Sequence, residues 1–162
     1  LALPVSVSVT AGIALLLNLL AVLAFVLLNG VDPTWSWLLF PLLLIELYAL
    51  ALGIGLLLSV FYVGLRDLGQ VWELVAQMLF YATPILYPLT MVPVDFQALM
   101  LANPLAQIVQ QSREVIVGPQ SGVTSEVLQG WAILIPYSIV VVLLVAGILV
   151  FQRAAPRISE RL

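Results

Sequence analysis

The chain has 162 residues, 64% of them hydrophobic and 8% charged, with a formal net charge of -3 and a mean hydropathy of +1.21. Soluble domains run nearer half apolar and a quarter charged, so lipid must be the solvent for much of this side-chain surface. There is no Cys and no His, which excludes disulfides, thiolate chemistry and Ser–His or Cys–His catalysis. The basic residues are all Arg and form no patch that tracks a phosphate backbone, so nucleic acid is not a partner.

Four stretches are long enough to cross a bilayer, which takes about 20 apolar residues. They run over 5–28, 37–63, 71–89 and 130–151. The sequence starts at Leu1, almost inside the first of them, with no charged segment ahead of it. It therefore reads as a piece of a longer chain and not as a signal peptide. Asn18 is a lone polar group in the first stretch, best read as a packing residue.

Asn29-Gly30-Val31-Asp32-Pro33 is a tight turn into the second stretch. About ten residues into that stretch sits Glu46, an expensive intramembrane carboxylate that should face a partner or a cavity. Ala49 and Gly53 share its face and permit close helix approach. Helix packing explains Glu46 more simply than a proton relay, because no His or Lys is available.

The polar loop 64–70 carries Arg66 and Asp67. Asp67 with Gln70 fits an N-cap and its capping-box partner. In the third stretch Glu73, Gln77, Tyr81, Pro84 and Tyr87 recur at steps of three or four, with Phe80 beside them. The spacing predicts one polar and aromatic helix face, kinked at Pro84. Such a face lines a water-filled path or forms an inert polar seam between helices.

The connection 91–129 predicts two short helices. Asp95 caps the first, over 96–101. Asn103 caps the second with Pro104 at its first position, and Gly118-Pro119 stops it. Leu105, Ile108, Val109 and Ile116 form an apolar side against Gln107, Gln110, Gln111 and Glu114. The second helix should lie at the interface or dip in and return. Arg113-Glu114 on it is a solvated face, an ion pair with Asp95 or Glu126, or a gate element.

Arg66, Arg153, Arg157 and Arg161 fall on one side of a four-span topology, and only Arg113 on the other. The positive-inside rule makes the first side, with the tail 152–162, cytoplasmic. The acids are too scattered for a metal site. The absence of Lys excludes a standard P-loop, so any ATP chemistry lies on another polypeptide.

Arg66-Asp67-Leu68, Thr83-Pro84-Ile85, Tyr87-Pro88, Val92-Pro93, Asn103-Pro104-Leu105, Arg113 and the closing Ser159-Glu160-Arg161-Leu162 form an ordered set. The set resembles permease subunits of type-two ABC exporters, in the branch that exports O-antigen, teichoic acid and capsular polysaccharides. The resemblance implies an all-α, polytopic inner-membrane bundle, here the C-terminal four of six spans, with a re-entrant or amphipathic helical pair on the outer side. It implies a translocation path along Glu73, Gln77, Phe80, Tyr81, Pro84, Tyr87 and Glu46. The outer gate would include Asn103, Pro104, Arg113 and Glu114, and Arg66 and Asp67 would lie on a cytoplasmic loop. It further implies a homodimer with separate ATP-binding cassette subunits. Those subunits carry ATP and Mg, while this chain holds no cofactor and moves a glycan or lipid-linked glycan through membrane lipid. A permease for a drug or a lipid, or a non-transporting membrane anchor, are the other readings.

Overall fold

A computed structural model describes residues 2–64, 67–118 and 123–159, with side chains at 9–62, 67–118 and 123–154. Among them every regular element is helical. Helix α1 spans Ala2–Leu28. It ends where Gly30 takes a left-handed φ of 80°, and the Asn29 side chain donates to the Phe25 carbonyl at 2.8 Å. Glycine at this position closes a helix without a Cβ clash. A 3-10 segment, Trp35–Leu39, then feeds α2, Phe40–Gly64. Pro41 falls in the first turn of α2, where its missing N–H costs nothing.

Helix α3 covers Leu68–Ala82, α4 Val94–Leu101, α5 Pro104–Val117, α6 Thr124–Val127 and α7 Leu134–Ser159. Among the described residues three helical segments are long and apolar enough to cross a membrane: Val9–Leu28, Trp35–Tyr62 and Gly130–Ala154. They fall on the first, second and fourth stretches expected from sequence.

The third stretch differs from expectation. Its helix has 15 residues, which at about 1.5 Å each falls short of a hydrocarbon core of about 30 Å. It is not kinked at Pro84; it stops before it. Thr83 is extended, with φ -98° and ψ 134°, because the residue before a proline is pushed out of the helical region. The Thr83 hydroxyl then donates to the Leu79 carbonyl at 2.7 Å, occupying an acceptor freed by the break.

Two caps also differ. Asp67 precedes α3 at φ -88° and ψ 1° and makes no side-chain cap bond, since an N-cap needs extended backbone to aim its oxygen at the first turn. Pro93 precedes α4 instead of Asp95, which sits inside the first turn. Asn103 does cap α5: its side-chain oxygen accepts from the Leu105 N–H at 3.1 Å, and Pro104 follows at the first helical position. Gly118 closes α5 at φ 110°; Pro119 lies outside the described residues. Asn103→Ala should cost about 1 kcal/mol, and Asn103→Asp far less, read as a shift in thermal unfolding in detergent.

The frame is the α2–α7 pair. Gly53 of α2 and Gly147 of α7 are both buried, and a Cβ built on Gly147 would lie 2.6 Å from the Gly53 carbonyl oxygen. The two backbones therefore touch, as small residues allow between membrane helices. Leu43 and Leu50 share a core with Val140 of α7 and Ile108 of α5. The helices thus run parallel, and α5 seats across their N-terminal ends. Beneath the 83–93 turn a second cluster joins Leu89, Leu101 and Leu128. Arg153 lies exposed toward the opposite end, near the C-terminus of α7.

Candidate functional site

The predicted site residues divide into three groups. Glu73, Gln77, Phe80 and Tyr81 are exposed along α3. Glu73, Gln77 and Tyr81 keep the spacing of one helix face, and the Phe80 and Tyr81 rings meet edge to face at 5.6 Å. Pro84 and Tyr87 leave that face, because the helix has ended. Pro84 is buried, and Tyr87 folds back so that its hydroxyl donates to the Tyr81 carbonyl at 3.2 Å. The continuous five-residue stripe expected from sequence is therefore a three-residue face followed by a packed turn. Asn18 is exposed on α1, Asp67 is exposed at the start of α3, and Arg66 lies outside the described residues.

The second group is centred on Arg113. Its guanidinium donates to the carbonyls of Pro84 at 3.0 Å, Ile85 at 3.0 Å and Tyr87 at 3.2 Å. Among the described residues it pairs with neither Asp95 nor Glu126. The reason is geometric: the non-helical backbone after Thr83 leaves carbonyls without helical partners, and a planar fork of N–H groups meets several at once. Gln97 of α4 continues the pattern, donating to the carbonyls of Val92 at 2.8 Å and Leu89 at 3.3 Å. The irregular 83–93 segment is thus held by side chains from α4 and α5.

The third group is centred on Glu46. Its carboxyl lies against the side chain of Gln107. The Gln107 amide donates to Gln111 at 2.7 Å, and Gln111 meets the Tyr137 hydroxyl of α7 at 3.0 Å. Glu114, one turn on, accepts the Thr124 N–H at 3.0 Å and so holds the first turn of α6. The polar side of α5 is turned inward at Gln107 and Gln110, which have no exposed surface. The Gln107 amide nitrogen is bonded there, while its amide oxygen is left without a partner, at a desolvation cost. Sequence reasoning found Glu46 and the glutamines but not their meeting. It missed Tyr137 and Thr124 altogether, whose one signal was a hydroxyl near the start of an apolar segment.

Beside this group a cavity of about 580 Å³ opens between α2, α5, α6 and α7. Glu46, Gln111, Glu114, Thr124, Ser125 and Tyr137 supply its polar wall. No group of three or more candidate metal ligands gathers among the described residues.

The ABC-2 type transporter family model matches residues 5–117. The chain is 29% identical over 158 residues to an O-antigen export system permease protein RfbA of Klebsiella pneumoniae, covering 97% of this chain and 58% of the relative. A second protein of that name and organism is 27% identical over 158 residues, with the same shares covered. A namesake from Myxococcus xanthus is 33% identical over 108 residues, 65% of this chain and 42% of the relative. The chain thus spans less than three-fifths of the length of these curated relatives. No solved structure matches.

Proposed function

The chain belongs to the ABC-2 type transporter family, and on that premise we propose that it is the membrane-embedded permease part of an exporter moving a polysaccharide or lipid-linked glycan across the inner membrane. The observation that carries this reading is similarity to O-antigen export permeases along 97% of the chain. Three apolar helices of spanning length agree with it.

In this reading ATP and its Mg bind separate ATP-binding cassette subunits, in keeping with the family; the 162 residues include no Lys for a P-loop. Two permease copies enclose the path. ATP moves the permease only to the extent that it binds its open and closed states with different affinity. The Arg153 end faces the cytoplasm, and α4 and α5 face outward as the gate around Arg113 and Glu114. The exposed Glu73–Gln77–Tyr81 face of α3 lines the path. Its carboxylate, amide and phenol meet sugar hydroxyls, and the aromatic rings offer faces for sugar C–H groups.

The first test is purification of the full-length protein in mild detergent. A P-loop ATPase is expected to co-purify at equal stoichiometry, with a hydrolysis rate that responds to the permease. Absence of an ATPase removes the energy source and sinks the reading. Within it, Glu73→Ala, Gln77→Ala and Tyr81→Ala should each lower glycan export severalfold while membrane levels stay normal, because none of the three side chains is buried. Met78→Ala, also exposed on α3 but apolar, is the comparison. Equal export by all four variants argues against the α3 face as the path.

A further inference from the structure

The cavity beside Glu46 has a wall whose chemistry the export reading uses only at Glu114. Two carboxylates, Glu46 and Glu114, line it, and among the described residues no basic one does. Arg113, on the same helix as Glu114, is turned away onto the 84–87 carbonyls. Two polar atoms on this wall are buried without a partner: Glu46 Oε1 and the Thr124 hydroxyl oxygen. Thr124 is only 1% exposed. Buried acceptors left open in this way carry a desolvation cost that a donor from outside can relieve.

The rest of the wall is aliphatic, from Leu42, Ala49, Val115, Ile133, Val140 and Val141. Leu42 and Val141 are also exposed on the outer surface of the bundle. Since α2 and α7 are both of spanning length, the cavity opens sideways, toward lipid. A volume of about 580 Å³ lies within the range of small-molecule sites. An inner wall with two carboxyl groups, two of its buried oxygens unpartnered, behind an apolar mouth suits an amphiphile whose polar end is a cation with N–H donors.

We infer that this cavity binds an amphiphile bearing a primary ammonium group, with the ammonium directed to Glu46 and Thr124 and the alkyl part lying between α2 and α7. Two sources share this chemistry: the ethanolamine headgroup of a membrane phospholipid and a free long-chain amine. A choline headgroup carries the same charge but no N–H, so it fills no open acceptor. The inference does not depend on what the exporter carries.

The test uses the full-length protein in nanodiscs of phosphatidylethanolamine or of phosphatidylcholine. Retained lipid is counted by native mass spectrometry, and thermal unfolding is followed as dodecylamine is added. Wild type is expected to retain phosphatidylethanolamine in preference to phosphatidylcholine. Glu46→Gln should weaken that preference about tenfold, the scale of one charged hydrogen bond. Thr124→Val should weaken it less. Val141→Phe should block the mouth, and because Val141 is exposed the larger ring does not disturb the core. If dodecylamine stabilises wild type but not Glu46→Gln or Val141→Phe, while no phospholipid is preferred, the site stands and its ligand is a free amine. Equal retention of both phospholipids, with no effect of dodecylamine or of the variants, overturns the inference. That outcome leaves ATPase co-purification, and the export reading with it, untouched.

Discussion

Arg113→Ala is expected to destabilise the protein by about 2–4 kcal/mol and to loosen the 83–93 turn. A hydrogen bond from a charged donor contributes about 1.5–3 kcal/mol, and Arg113 makes three, to Pro84, Ile85 and Tyr87. They share one guanidinium, so they do not add. Most of the loss comes from the orphaned carbonyls, because Pro84 is buried and Tyr87 half-buried. Arg113→Lys keeps the charge but presents a compact ammonium in place of a planar fork. It should recover less than half of the loss. Thermal unfolding in detergent and amide exchange at residues 84–92 are the two readouts. Export should fall with them, since Tyr87 and Tyr81 are linked through this turn. Unchanged exchange at 84–92 in Arg113→Ala would show that the turn is held by something else.

The same residue shows where sequence stops being legible. Pro84 announces a break, but whether a proline kinks a helix or ends it depends on what receives the freed carbonyls. Here the recipients come from Arg113 and Gln97 on later helices, a tertiary fact that no local pattern carries. The Asn103-Pro104 cap was legible because a cap is local: its oxygen reaches an N–H two residues away. Asp67 has the right side chain for the same role, but its backbone is not extended. Three of the four expected spans were legible from composition, since lipid imposes length and apolarity together; the third was not, because its helix stops before Pro84. The Glu46 group was half legible. A carboxylate in an apolar run demands a partner, and Gln107, Gln110 and Gln111 demand a polar environment. Sequence could not say that Gln107 meets both Glu46 and Gln111 inside the bundle. The α3 face was legible over Glu73, Gln77 and Tyr81, where the helix period holds, and failed at Pro84 and Tyr87, where it does not.

Gly53→Leu is expected to remove most of the folded protein from the membrane, with Gly147→Leu close behind. A Cβ on Gly53 would lie 2.8 Å from the Leu143 carbonyl carbon and the Leu144 nitrogen. These are backbone atoms, which cannot rotate aside, so even Gly53→Ala forces the helices apart and should cost about 1–3 kcal/mol. A Leu drives a longer wedge into the same crossing. The damage spreads because α2 and α7 are the seat of α5: Leu43, Leu50, Val140 and Ile108 form one core. A gap of about 0.5–1 Å already forfeits a quarter to a half of a dispersion contact, and every contact along the crossing would share it. Gly55 supplies the internal control. It is exposed, and a Cβ there meets nothing within 4 Å. Gly55→Ala should therefore be neutral or stabilise by up to about 1 kcal/mol through helix propensity alone. Membrane abundance and thermal unfolding of the glycine variants should thus rank Gly55→Ala, Gly53→Ala, Gly53→Leu from most to least stable. Loss of stability in Gly55→Ala equal to that in Gly53→Ala would locate the sensitivity in glycine content and not in the α2–α7 contact.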